Sequence, residues 1–173
     1  DIEVFISPGN HDVGISNENI RRNVFEAAVQ NKQPKYFPFY LERSGFNIIV
    51  DDSSMSNSIL DKSLSNQYSF KGKDEILILR HHTVIEDLKD VSGFSPKFYR
   101  KDFLENKFKL NNKVIIVSGN GGMYVNQPRI SCFEHNNFLH IVNGIGEVSK
   151  DNILVLHNSE IYRYQINTKI DKK

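Results

Sequence analysis

Three short and largely apolar runs, each followed at once by polar or glycine-rich residues, constrain the fold of this chain most strongly. They span residues 2–6, 75–79 and 114–117. Their length and β-branched content are typical of buried strands. Ligand sites of open α/β sheets lie at the carboxyl ends of such strands. We therefore expect an α/β fold in which the residues after these runs lie at one edge of the sheet.

The residues that follow the three runs carry the candidate chemistry. The first run ends in Ser7-Pro8-Gly9, where proline cannot donate to a strand ladder and glycine permits a sharp turn. The side chains that can bind metal or move protons come next, as Asn10-His11-Asp12, and are expected on a loop. The other two runs are followed by Arg80-His81-His82-Thr83 and Ser118-Gly119-Asn120-Gly121-Gly122.

Periodicity predicts the other elements of the first part of the chain. Residues 17–31 are expected to form a helix with Ile20, Val24, Ala27 and Ala28 on its apolar face, and with Arg21 and Arg22 solvated. Two aromatic and β-branched runs, residues 36–43 and 46–52, flank Ser44-Gly45 and predict a hairpin. The polar segment 52–66 is expected to be a loop with a short helix near residues 59–64.

The second part of the chain is predicted to change from alternating elements to antiparallel strands. Pro96 can occupy the first turn of a helix that extends to about Leu110. The antiparallel strands are expected at residues 130–133, 138–142, 153–156 and 161–166. His140 falls within one of them and is expected to contribute to packing.

Composition bounds the class of protein. The chain has 173 residues, a formal net charge of +1 and 39% hydrophobic residues, which suits a single domain over residues 1–173. Near-zero net charge argues against a nucleic-acid binder that relies on a basic surface. No apolar stretch or signal pattern indicates a membrane segment, so we expect a soluble, cytoplasmic protein. The single cysteine, Cys132, is expected in the core.

The string Gly9-Asn10-His11-Asp12 after an apolar run resembles the Asn-His motif of the calcineurin-like metallophosphoesterases. The His81-His82 pair after its own run is similar to the metal-binding histidine of that family. The stretch Ile48-Ile49-Val50-Asp51-Asp52-Ser53 looks like the family strand that ends in Asp-Ser or Asp-Thr, whose role there is structural. The resemblance implies a layered α/β/β/α sandwich, of which this sequence is the C-terminal part.

The resemblance also implies a set of site residues. Asn10 and His81 would bind a divalent metal pair, with His82 as the alternative to His81 and Asn120 as a further ligand. His11 would act at the phosphate of a phosphoester substrate. Imidazole and oxygen ligands suit Mn, Fe, Zn or Co. Taken singly, Asn10 fits a turn and each histidine fits a core position, but their occurrence together favours descent from a metal site.

Two departures from the family pattern leave two functions open. The usual closing motif, Gly-His-x-His, is replaced by Gly119-Asn120-Gly121-Gly122, and the Asp-x-His and Gly-Asp motifs that come first in the family are not present in this sequence. The first function is metal-dependent phosphoester hydrolysis, with the other ligands supplied by an upstream segment. The alternative is a non-catalytic module that has lost its metal centre and binds a phosphorylated ligand or a partner protein.

Overall fold

The computed structural model describes residues 3–14, 20–34, 36–43, 45–53, 75–81, 113–119, 130–135, 137–143, 150–157 and 160–167. Within these ranges the chain is an α/β protein with a mixed, mostly parallel sheet. The predicted helices at residues 59–64 and 96–110, together with His82 and Asn120, lie outside the described residues.

Six of the described strands form one sheet, in the order β1-β2-β3-β4-β6-β5. The four central strands run parallel to one another, and β1 and β5 pair antiparallel at the two edges. The strands are β1 (Phe39–Arg43), β2 (Phe46–Val50), β3 (Glu75–Arg80), β4 (Val114–Ser118), β5 (Ile130–His135) and β6 (Phe138–Asn143).

A hairpin of two further strands, β7 (Lys150–His157) and β8 (Glu160–Asn167), packs on one face of this sheet. Its inward side chains contact a core made by one residue from each of three central strands. The core residues are Leu77, Ile115 and Ile141, and the hairpin residues against them are Leu154, Leu156 and Ile161.

The side chains on the opposite face of the central strands are also buried. Ile76, Ile78, Val114 and Ile116 are at most 1% exposed. Burial on both faces explains why these strands are continuous apolar runs rather than alternating ones. The predicted hairpin at residues 36–52 and all six later strands are confirmed, with ends that differ by three residues or fewer.

The prediction of a strand at residues 2–6 is wrong. Residues 3–9 have no regular secondary structure, and Val4 and Ile6 are largely exposed. The backbone of Ile6 bonds to a side chain instead of a strand: its N–H donates to Gln33 Oε1 (2.7 Å), and its carbonyl accepts from Gln33 Nε2 (3.1 Å). The apolar content of this run therefore does not reflect a place in the sheet.

Two helices follow, α1 (Asn10–Val13) and α2 (Ile20–Val29). Asn10, His11 and Asp12 thus lie in one helical turn rather than in a loop. The predicted apolar face of α2 is also wrong, because Ile20 is 76% and Val24 65% exposed. Neither described helix is long and apolar enough to cross a membrane.

The side chain of Arg22, expected in solvent, is one of the buried contacts of α2. Its Nη1 lies 2.5 Å from Asp52 Oδ2, and both side chains are less than a tenth exposed. This ion pair joins α2 to the residues that follow β2. Cys132, expected in the core, is exposed on the edge strand β5.

Removing the cation of the Arg22–Asp52 pair should destabilise the protein strongly. Arg22→Met keeps much of the side-chain volume but removes the charge that compensates the buried carboxylate, so we expect a loss on the order of 3 kcal/mol in the free energy of unfolding. Urea denaturation measures it. The matched control is Arg43→Met. Arg43 pairs with Glu3 on the exposed surface, so this substitution should leave the urea midpoint unchanged. Equal effects of the two substitutions would contradict this account.

Candidate active site

Three parallel strands end side by side at the same edge of the sheet. The in-register pairing places Val50 opposite Leu79, and Arg80 opposite Ser118. Asp51, His81 and Gly119 follow these positions directly. The carboxyl edge of the sheet therefore brings together residues that lie far apart in the sequence.

His81 lies against Gly9, the first residue of the Gly-Asn-His-Asp string. A Cβ atom placed on Gly9 would lie 2.8 Å from His81 Nδ1, which is closer than real Cβ atoms approach other heavy atoms. Gly9 is itself buried. The absence of a side chain at Gly9 is therefore what allows the string to reach His81.

Residues 9–13, here called the 9–13 turn, form a compact unit that is closed by hydrogen bonds. The backbone N–H groups of Asp12 and Val13 donate to the Gly9 carbonyl, at 3.0 and 3.1 Å. In the reverse direction, the Gly9 N–H donates to Asp12 Oδ2 at 2.9 Å. Asp12 thus satisfies a backbone donor that the helical turn leaves open, as capping side chains do.

Hydrogen bonds also connect Ser7, which precedes the 9–13 turn, to the strand ends, and the strand ends to one another. The Ser7 hydroxyl donates to the Asp51 carbonyl at 2.6 Å, and the Asp51 N–H donates to the Leu79 carbonyl at 2.9 Å. The Gly119 N–H is shared between the carbonyls of Arg80 (3.3 Å) and His81 (3.1 Å). The carbonyls of Leu79, Arg80 and His81 thus all accept hydrogen bonds from the neighbouring strand ends.

Beneath this edge, one face of the sheet carries a buried polar cluster: Asp51, Arg80, Ser118 and His140. Ser118 Oγ lies 3.0 Å from His140 Nε2, and Arg80 Nη1 lies 3.8 Å from Asp51 Oδ2. All four residues are at most 3% exposed. The cluster has no access to solvent, so its members support the edge and do not act on a substrate.

The electrostatics of the cluster follow from burial and from the fixed charge of Arg80. Burial raises the pKa of the Asp51 carboxyl, and the nearby guanidinium of Arg80 opposes that shift. Burial, and to a smaller extent the positive charge of Arg80, lowers the pKa of His140 to about 3. His140 is therefore a neutral imidazole at physiological pH. This agrees with the expected packing role of His140.

The structure brings together part of the predicted site. The Gly-Asn-His-Asp string and His81 meet at the carboxyl edge, and the backbone of Asn10 and His11 lies in α1 beside it. Sequence reasoning missed Ser7, Arg80, Ser118 and the turn-closing role of Asp12. For Arg80 and Ser118 the signal was present, since each is the first polar residue after a predicted apolar strand.

Among the described side chains, no group of three or more His, Cys, Asp or Glu residues could hold a metal ion. Two suitable groups do lie close together: His81 Nδ1 and Asp12 Oδ2 are 2.8 and 3.1 Å from the same Cβ position on Gly9. Catalytic metal sites use about three protein ligands. These two groups alone are too few for a catalytic metal site.

The sequence was compared with protein-family models and with curated proteins. No family model matches the sequence, and no curated protein matches it. The metallophosphoesterase resemblance therefore rests on the sequence motifs alone.

Adding a methyl group at Gly9 should displace the His81 ring. The new Cβ would lie 2.8 Å from Nδ1 and 3.0 Å from Cε1 in Gly9→Ala, so the imidazole must move. We expect changed His81 ring nitrogen and proton shifts in two-dimensional NMR spectra. In the control, Gly119→Ala, the Cβ would lie 3.9 Å from Nδ1, an ordinary contact. Unchanged ring shifts in Gly9→Ala would show that the close approach is absent in solution.

The buried neutral His140 should make folding stability depend on pH. Its folded pKa, about 3, lies below its ordinary value of 6.5. The unfolded chain thus binds more protons between these values, and stability is lost as pH falls below about 6.5. From pH 7 to pH 5 the wild type should lose ~2 kcal/mol more than His140→Gln. Urea titrations at both pH values measure the difference, and parallel losses in the two proteins would contradict the assignment.

Proposed function

We propose that the carboxyl edge of the sheet is part of a metal-dependent phosphoester hydrolase site. One observation carries the proposal: Gly9 of the Gly-Asn-His-Asp string packs against the Nδ1 atom of His81, although 72 positions separate the two residues (81 − 9). The backbone of one string and the histidine of another, each resembling a separate metallophosphoesterase motif, are thus neighbours, which supports the proposal. A chance match of short strings would not require this.

In this proposal, Asn10 and His81 would hold the metal, with Asn120 as a further oxygen ligand. The side-chain carbonyl of an asparagine and a neutral imidazole are ligands for Mn, Fe, Zn or Co. A divalent metal pair, when bound, supplies Lewis-acid activation of the phosphate and of a water nucleophile. The ligands that this sequence does not contain would come from an upstream segment.

His11 would act on the substrate rather than on the metal. As the neighbour of Asn10, it belongs to the same helical turn and would lie near the phosphate. An imidazolium there can stabilise the charge that develops on the phosphoryl oxygens, and it can give its proton to the leaving alkoxide. The substrate class is a phosphomonoester or phosphodiester. We further propose that the sheet and hairpin belong to an α/β/β/α sandwich of the metallophosphoesterase type, in a cytoplasmic protein.

A second candidate is supported by what replaces the closing motif of the family. Gly119-Asn120-Gly121-Gly122 supplies neither of the two imidazoles of Gly-His-x-His. A chain with this loop would keep the fold and bind a phosphorylated ligand or partner without turnover. The two candidates differ in one measurable property, which is metal binding at His81.

The test is a calorimetric Mn²⁺ titration of the 173-residue chain and of two histidine variants. We expect saturable binding that His81→Ala weakens by at least about tenfold, since one of few ligands is lost. His157→Ala is the matched control, because His157 is an exposed histidine at the end of β7. If binding is found, hydrolysis of a chromogenic phosphodiester should be lost in His11→Ala.

Two results would contradict the first candidate. Mn²⁺ binding that is unchanged in His81→Ala would place the metal elsewhere. No saturable binding by the wild-type chain, nor by a longer chain that supplies the further ligands, would favour the non-catalytic module.

A further inference from the structure

We propose that Ser7 is a positioning residue for this site. Its hydroxyl bonds the segment that precedes the 9–13 turn to the end of β2, and so fixes the separation between the turn and His81. This inference rests on the proposed function, because positioning matters to chemistry only if the turn and His81 act together.

The contact made by Ser7 is short and partly buried. Its Oγ donates to the Asp51 carbonyl at 2.6 Å, and Ser7 is half-buried. Two residues later, Gly9 meets the His81 ring. Between them lies Pro8, a buried residue whose ring fixes the backbone φ angle. A hydrogen bond that fixes the position of Ser7 therefore also restricts the position of Gly9.

The acceptor of this hydrogen bond is itself fixed to the strand that carries His81. Asp51 is fully buried, and its N–H donates to the carbonyl of Leu79 at 2.9 Å. Leu79 precedes His81 by two residues. Two hydrogen bonds thus connect Ser7 through Asp51 to β3, and the packing of Gly9 on His81 closes the loop of contacts.

The other described hydrogen bonds of residues 3–9 to distant residues are made with Gln33 and Arg43. Gln33, which follows α2, holds both backbone groups of Ile6 through exposed hydrogen bonds. Glu3 pairs with Arg43 on the surface. Within the described ranges, residues 3–9 are joined to the carboxyl edge of the sheet by the hydrogen bond from the Ser7 hydroxyl to the Asp51 carbonyl.

The experiment compares Ser7→Ala, Ser7→Thr and Gln33→Ala by two readouts. The first is the Mn²⁺ dissociation constant from calorimetry. We expect it to rise about fivefold in Ser7→Ala, as for the loss of one neutral hydrogen bond. Ser7→Thr keeps the hydroxyl and should restore the wild-type value. Gln33→Ala loosens the same segment one residue upstream and should leave the dissociation constant unchanged.

The second readout needs no metal, so it separates failure of this inference from failure of the proposed function. In the metal-free protein, amide hydrogen exchange at Asp12 and Val13 and the ring shifts of His81 report whether the turn stays docked. Ser7→Ala should speed exchange and shift the ring, and Ser7→Thr should not. If the wild type binds no Mn²⁺, these data alone decide the role of Ser7.

Three results would overturn the inference. The first is that Ser7→Ala has the same Mn²⁺ dissociation constant, amide exchange and His81 ring shifts as the wild type. The second is an equal effect of Gln33→Ala, because the hydrogen bond at Ser7 would then have no special part. The third is a lowered melting temperature in Ser7→Ala with unchanged metal affinity and ring shifts, which would indicate a structural role only.

Discussion

The in-register parallel pairing of β2, β3 and β4 is the constraint on which the rest of the structure depends. It brings three strand ends to one edge, and it places Arg80 opposite Ser118 in neighbouring strands. The strands are buried on both faces, so a shift by one residue would move polar ends into the core. The same pairing that buries the apolar core therefore fixes where the polar residues lie.

Most of the contacts at this edge involve backbone groups, which small residues allow to come close to their neighbours. Gly9 leaves room for the His81 ring, and Ser7 reaches the Asp51 carbonyl with a single hydroxyl. The Gly119 N–H bonds to the carbonyls of both Arg80 and His81. The buried cluster under the edge then fixes the strand ends from below.

The sequence was a reliable guide to the strands and a poor one to the N-terminal segment. Continuous apolar runs at β3 and β4 can only be satisfied by burial on both faces, so pattern and structure agree. Val4 and Ile6 are also apolar and β-branched but remain exposed, and Gln33 takes the backbone hydrogen bonds of Ile6 that a strand would have used. For α2, the buried Arg22–Asp52 pair decides which side faces inward. Periodicity carries no information about such a distant partner.

For the candidate site, the sequence predicted that the Gly-Asn-His-Asp string and His81 lie at one sheet edge. It did not predict the hydrogen bond between Ser7 and Asp51, because the two residues are 44 positions apart. The most direct measurement of the central claim is paramagnetic broadening of amide signals by substoichiometric Mn²⁺. The account predicts that the Gly9, Asp12, His81 and Gly119 signals broaden together, while those of the β7–β8 hairpin stay sharp. Broadening that spares either the 9–13 turn or His81 would contradict it.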